Sequence, residues 1–326
     1  MHPILTAVFG AALAAGALPQ EIPGVTAKLA VRNSIVMSGG NVELRLMIDV
    51  KADAEVPGDL LTGVALDVKV NDKDAPRVEE KGKGGTVALT AGTRIERTLT
   101  LPAARFAPPT DGSGFTVVTV AWSGLAGANC LFKVAPDSTK VDLATLDFAK
   151  TKVVLVTSHG EMTLSFRPDK APKHVENFLK LCKSGFYDGT KFHRVMRNFM
   201  IQGGDPFTKD DSKQAQWGMG DPGYKINEEF NDTKHVRGVL SMARGPDVNS
   251  AGSQFFILHK ESTALDLKIR PDGTKDGYTA FGNLEAGADV LDAIANTPVG
   301  PSRSGEMSVP QTPVVLHAAV ILPVQK

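Results

Sequence analysis

Two cysteines, two tryptophans and three tyrosines are all that 326 residues contain of these types. Cys130 and Cys182 lie in halves of different patterning, and a disulfide would need their Cα atoms within about 7 Å. They read as two buried free thiols rather than a disulfide framework. The seven histidines show neither His-x-His nor His-Glu-x-x-His spacing, so no metal centre is expected, and no cofactor. The glycine clusters Gly203-Gly204 and Gly218-Met219-Gly220 lack the strand–glycine–helix setting of a phosphate cradle and read as turns. Charge of one sign is also missing: 36 basic residues balance 36 acidic ones, which argues against a nucleic-acid backbone or an anionic membrane as partner. The densest basic clusters, Lys81-Gly82-Lys83 and Lys170-Ala171-Pro172-Lys173, are too thin to change that. Near the start, the apolar run 4–18 is shorter than the roughly 20 residues of a membrane span. With Ala14-Ala15-Gly16-Ala17 before Pro19, residues 1–20 read as a secretory signal, although the run is preceded by no Lys or Arg. Export to the periplasm or medium is expected, with no membrane insertion after cleavage; the alternative is an uncleaved anchor.

What is present divides the chain in two. A hydrophobic fraction of 42% and a charged fraction of 22% are ordinary for soluble globular protein, and the length favours two domains. From 25 to 134 the only period is that of strands. Candidate strands fall at 26–31, 42–50, 63–70, 86–89, 95–101, 115–122 and 129–134, separated by clusters such as Ser38-Gly39-Gly40, Asn71-Asp72 and Asp111-Gly112-Ser113-Gly114. Seven short strands without a credible helix suggest an immunoglobulin-like β-sandwich over 21–138. This half has no histidine and only scattered carboxylates, so no chemistry is assigned to it. Residues 139–151 read as a linker.

Beyond it, Val153-Val154-Leu155-Val156, Ser158-His159-Gly160-Glu161 and Met162-Thr163-Leu164-Ser165-Phe166 spell a hairpin. A helix follows, with Pro172 in its first turn and Val175, Phe178, Leu179 and Cys182 at i, i+3, i+4, i+7. A second helix is expected at 287–295, where Val290, Leu291 and Ile294 share a face. Short strands and glycine-rich loops lie between, in a mainly β domain over 152–326. Glu228-Glu229 reads as a solvated loop pair.

Three segments carry the chemistry. Phe192-His193-Arg194-Val195-Met196-Arg197-Asn198-Phe199-Met200-Ile201-Gln202-Gly203-Gly204-Asp205 sets arginines and a glutamine among apolar side chains, with no nucleophile or carboxylate pair. Such a site suits an uncharged, proline-sized group. His193 reads as structural. Gly238-Val239-Leu240-Ser241-Met242-Ala243-Arg244 is a strand entering a loop, and Ser250-Ala251-Gly252-Ser253-Gln254-Phe255-Phe256-Ile257 joins another glutamine to two phenylalanines.

Together these segments resemble the core signatures of the cyclophilin peptidyl-prolyl cis–trans isomerases. The resemblance runs over 152–324 and includes Ala171-Pro172-Lys173-His174-Val175-Glu176-Asn177-Phe178 and Gly185-Phe186-Tyr187-Asp188-Gly189. It implies a closed eight-stranded antiparallel barrel capped by two helices, with the substrate groove on its outer surface. By position it makes Arg194 the catalytic guanidinium, with Gln202 and Phe199 in the catalytic group. The resemblance further implies that Phe199, Met200, Phe256 and Leu265 form the proline pocket, that Gln202 and Gln254 bind substrate backbone and hold Arg194, and that Ala243 and Arg244 line the groove before proline. Tyr278 stands at the rim where most members have histidine, behind the insertion 267–277; Ala264 replaces a common tryptophan, and Arg244 a common asparagine. Isomerase activity with weak cyclosporin binding is therefore expected. The implied function is isomerisation of X–Pro bonds in proteins folding outside the cytoplasm, by a monomer acting on proline-containing polypeptides. The alternative is a non-catalytic, proline-recognising or client-binding module tethered by the N-terminal domain.

Overall fold

In a computed structural model, residues 22–32, 35–37, 39–106 and 115–326 are described. The secretory signal expected at 1–20 lies outside them. The chain forms two compact units, the second beginning at Ala135 and running to Lys326.

In the N-terminal unit, strands Val25–Val31, Asn41–Val50 and Arg94–Pro102 form one sheet. Strands Ile35–Met37, Asn129–Ala135, Thr116–Trp122, Val64–Val70 and Lys73–Glu80 form another, in that order. Alternation along the strands builds their shared interior: Val42, Leu44, Leu46 and Ile48 from the first sheet join Val118, Val120, Trp122 and Leu66 from the second in one core. Several elements escape the sequence reading, the three-residue strand Ile35–Met37 among them. Lys73–Glu80 carries a proline and mostly charged residues, yet pairs along Val64–Val70 at the sheet edge, where proline and charge discourage further pairing. The turn into it places Asn71 and Asp72 at positive φ, as a tight hairpin requires. Ala54–Pro57 is a short strand, and Gly58–Thr62 a single helical turn where none was expected.

The C-terminal unit is built on one curled antiparallel sheet of nine strand segments. Their order is Thr190–Lys191, Val315–Leu322, Lys152–Thr157, Gly160–Phe166, Ala280–Ala286, Val239–Met242, Phe255–Leu258, Met200–Gly203 and Arg194–Met196. The two outermost segments are covalent neighbours, separated only by Phe192 and His193. The sheet therefore curls until its ends meet along the chain. Nine segments rather than eight arise because the strand at 190–196 is interrupted there; counted as one, it restores the expected number.

Strand residues pointing inward fill the core: Val153, Leu155, Met162, Leu164, Ile201, Leu240, Met242, Phe255, Ile257 and Phe281. Helix Pro172–Lys183 adds Val175, Phe178, Leu179 and Cys182. Phe178 packs edge-on to Phe255 at 5.4 Å between ring centroids. Helix Ala288–Ala295 adds Val290, Leu291 and Ile294. Residues 139–151 also fold here: Leu146 is buried in this core and bridges to Gln325. Both cysteines are free thiols, Cys182 buried and Cys130 partly so. Burial pushes the Cys130 thiol up to about 12, which leaves it un-ionised and unreactive at neutral pH.

Candidate active site

The period of the strands sorts side chains to two faces of the curled sheet, and the site occupies the outer one. In Met200–Gly203, Ile201 enters the core while Met200 and Gln202 face out. In Phe255–Leu258, Phe255 and Ile257 go inward and Phe256 and Leu258 outward. The outward residues make a second apolar cluster, separate from the core: Met200, Phe256, Leu258 and Leu265, with Met196, Phe199, Ala243 and Tyr278 packed against it. Six residues expected from the sequence (Phe199, Met200, Ala243, Phe256, Leu265 and Tyr278) thus share one patch. Phe256 and Tyr278 meet edge-on at 5.7 Å.

Strand register sets the polar groups beside this patch. Arg194 pairs with Gln202 and Gln202 with Phe256, a row across three neighbouring strands spaced about 4.8 Å apart. The hairpin turn that brings Arg194 opposite Gln202 has Asn198 at φ 63°, a left-handed conformation that asparagine tolerates. The guanidinium lies over the Phe199 ring, 5.9 Å from its centroid. Gln202 Nε2 donates to Gln254 Oε1 at 3.0 Å, and Gln254 Nε2 donates to the carbonyls of Gly218 and Gly220, each at 2.9 Å.

Here the structure departs from expectation: the glutamines hold one another and the 218–220 loop, and Glu306 holds Arg194. Nε donates to one carboxylate oxygen at 2.6 Å and Nη2 to the other at 2.8 Å. The paired guanidinium holds the Glu306 carboxyl below its ordinary range. Arg244 is likewise committed. It donates to Gly277 O at 2.9 Å and Asp276 at 2.6 Å, and its guanidinium sits 4.8 Å from the Tyr278 ring centre. It therefore braces the inserted hairpin, whose short strands are Lys268–Ile269 and Lys275–Asp276, rather than standing free in the groove.

Buried polar groups support the face from behind. His235 stacks on Phe256, bonds Asp266 through Nδ1 at 3.1 Å and Ser241 through Nε2 at 3.0 Å. Burial lowers its pKa against the opposing pull of Asp266. Asp205, fully buried, accepts from the backbone N–H groups of Phe207, Gly218 and Gly220 and so anchors the loop that Gln254 also grips. His193 is buried with Nδ1 unpartnered, and burial drives its pKa down to about 4, which suits a neutral structural ring. Glu229 is not solvated as expected. It accepts from the N–H groups of Lys173 and His174 and contacts His174 Nδ1 at 2.7 Å, closing the first turn of helix Pro172–Lys183. No cluster of three His, Cys, Asp or Glu side chains able to hold a metal occurs among the described residues. A cavity of about 210 Å³ lined by Phe192, Trp217, Pro313 and Val314 includes none of the expected site residues.

The arrangement can hold an apolar ring on Phe256, Met200 and Leu265 and present a fixed, charged hydrogen-bond donor beside it. Residues 152–320 match the family described as cyclophilin type peptidyl-prolyl cis-trans isomerase/CLD. The chain is 42% identical over 171 residues to the peptidyl-prolyl cis-trans isomerase cyp18 of Streptomyces antibioticus, covering 52% of this chain and 98% of the relative. It is 40% identical over 176 residues to peptidyl-prolyl cis-trans isomerase A of Dickeya dadantii, covering 53% of this chain and 85% of the relative. A Cryptosporidium parvum cyclophilin, crystallised in the presence of the dipeptide Ala-Pro, is 30% identical with a TM-score of 0.44, covering 52% of this chain and 98% of that one. Through residues 152–320, this chain belongs to the cyclophilin-type peptidyl-prolyl cis–trans isomerases.

Proposed function

We propose that Arg194 is the catalytic donor of this isomerase, acting on X–Pro bonds of proteins that fold outside the cytoplasm. An amide resists rotation by about 18–20 kcal/mol because resonance delocalises the nitrogen lone pair. Half-way through rotation that pair is localised on nitrogen and becomes a hydrogen-bond acceptor. A guanidinium fixed beside the proline can donate to it, and to the neighbouring carbonyl oxygen, only in the twisted state. It therefore stabilises the transition state over either planar form. Phe256, Met200, Leu265 and Phe199 would hold the ring while the preceding carbonyl swings, and their apolar surface strengthens the contact by excluding water. Gln254 and Ala243 would line the path of the substrate backbone, Gln202 would fix Gln254, and Tyr278 would close the rim. Ala264, exposed on the turn Thr263–Leu265, leaves that rim without an indole, which favours weak cyclosporin binding.

The single observation that carries this reading is the juxtaposition of Arg194 with a second apolar cluster outside the core. A short Ala-Pro peptide, followed by NMR exchange between its cis and trans signals, tests it. Arg194→Ala is expected to abolish most of the acceleration while the peptide still binds; an Arg194→Ala enzyme with the wild-type rate would remove Arg194 from the mechanism.

The apolar run 4–18 and the small residues near its end support export, to be checked by fractionating the native host. The two cores, each closed within its own unit, support a division into an accessory β-rich domain over about 21–138 and an isomerase domain beyond it, working as a monomer. No helix among the described residues is long and apolar enough to cross a membrane.

A further inference from the structure

Glu306 lies 112 residues from Arg194 in sequence, immediately before the second strand of a hairpin formed by Val299–Pro301 and Met307–Pro310. The turn leading to it is tightly built. Gly305 has φ +84° and its N–H donates to Ser302 O at 2.9 Å, while Ser302 N–H donates to Glu306 O at 2.7 Å. Ser308, buried, lies just beyond. The backbone that carries the carboxylate is thus fixed before any side chain is placed.

The carboxylate meets the guanidinium edge-on, taking Nε and one proton of Nη2. The pair is two-thirds buried, with side chains 34% and 32% exposed. The second Nη2 proton points to Met196 Sδ at 3.2 Å, and Nη1 donates to no group among the described residues, so Nη1 is the part of the fork that stays free. A bidentate, charge-assisted pair fixes both the position and the plane of a guanidinium. Gln202, directly across the strand pair from Arg194, spends its amide on Gln254 instead.

We propose that Glu306 is the positioning residue of this isomerase: by gripping Nε and Nη2 it locks the Arg194 fork with its free edge toward the twisting amide. The inference rests on the assignment of Arg194 as donor. Its benefit lies in the transition state alone, because the planar substrate has no localised lone pair for the free edge to meet. Loss of the grip should therefore lower kcat and leave KM nearly unchanged. A misplaced catalytic group can lose on the order of 10²-fold, and a guanidinium freed to swing about its own χ angles falls within that range.

The test is a double-mutant cycle on the full chain, with Ala-Pro peptide exchange measured at varied peptide concentration. Glu306→Ala is expected to lower kcat by about 10- to 100-fold with KM within about twofold, and Glu306→Gln, which keeps one acceptor oxygen, to recover part of it. In an Arg194→Ala background Glu306→Ala should change nothing further, a result that a merely structural role would not give. Should Glu306→Ala fail to fold, the isosteric Glu306→Gln carries the same cycle. An unchanged kcat in the folded single variant, or an equal fall on top of Arg194→Ala, would overturn the proposal. A wild-type rate in Arg194→Ala itself would instead overturn the assignment of Arg194.

Discussion

Lysine at position 194 separates the two properties that the guanidinium combines. Arg194→Lys keeps the positive charge and most of the reach, but replaces a planar fork by a single ammonium. In the native site Nε and Nη2 serve Glu306 while Nη1 is free; an ammonium drawn to Glu306 cannot also extend a donor to the far side. The loss is then about one charge-assisted hydrogen bond in the transition state, on the order of 1.5–3 kcal/mol. At 1.36 kcal/mol per tenfold, kcat falls by about 10- to 150-fold. The apolar surface of Phe256, Met200 and Leu265, proposed to hold the ring, is untouched, so KM stays within about twofold of wild type. Exchange NMR at saturating Ala-Pro peptide reads the first quantity, and a titration the second. A lysine variant with unimpaired kcat would refute the argument for a fork and leave only the charge. One with raised KM and normal kcat would show that the guanidinium binds the planar substrate.

Three further outcomes are expected. Gly204 has φ +85°, and a Cβ there would meet Ser253 O at 2.5 Å and the Phe255 ring at 3.0 Å. Gly204→Ala should therefore cost about 2–4 kcal/mol, read as a lowered Tm of the C-terminal unit. Burial holds His193 neutral with a pKa of about 4, so the unfolded chain takes up a proton that the native state refuses as pH falls from about 6.5 to about 4. Stability should drop across that window, by about 3 kcal/mol from this residue, and His193→Gln should flatten the slope, measured by hydrogen exchange at the Phe178 and Ile257 amides. His235, also lowered by burial, should preserve part of it. Asp276→Ala removes the carboxylate shared by Arg244 and Arg270; loosening of the inserted hairpin should raise KM for longer peptides with kcat unchanged, and a fall in kcat would place the hairpin in the catalytic step instead.

How much of this was legible in sequence depended on whether the signal was local. The helix stripe of Val175, Phe178, Leu179 and Cys182 and the hairpin at 152–166 were readable because each period repeats within a few residues. The outer apolar patch was legible only through the resemblance, which implied Met200 and Phe256; by itself the alternation leaves core and outer face undecided, and Leu258 was not foreseen. Lys73–Glu80 was hidden because an edge strand has little to bury: Val78 is its buried hydrophobic residue, at 3% exposure. The ninth segment was hidden because an interruption of two residues at Phe192 and His193 leaves no trace in hydropathy.

Besides Leu258, Met196 and His235, four residues that sequence reading missed share one chemical type. Glu306, Glu229, Asp205 and Asp266 are acceptors that bind a cation, a helix N-terminus, loop N–H groups or a histidine, and their partners lie 112, 55, 13 and 31 residues away. A carboxylate in a polar loop looks the same whether it faces water or a buried donor, and only closure of the sheet decides which. The sequence pattern therefore locates the surface proposed to meet the proline, while the groups that make this surface rigid are set by tertiary structure. In a reaction that breaks no covalent bond and moves no proton, rigidity of the donor is most of what the protein can add beyond binding. On that argument the carboxylate behind Arg194, proposed as its positioning residue, matters to the rate as much as the glutamine opposite it.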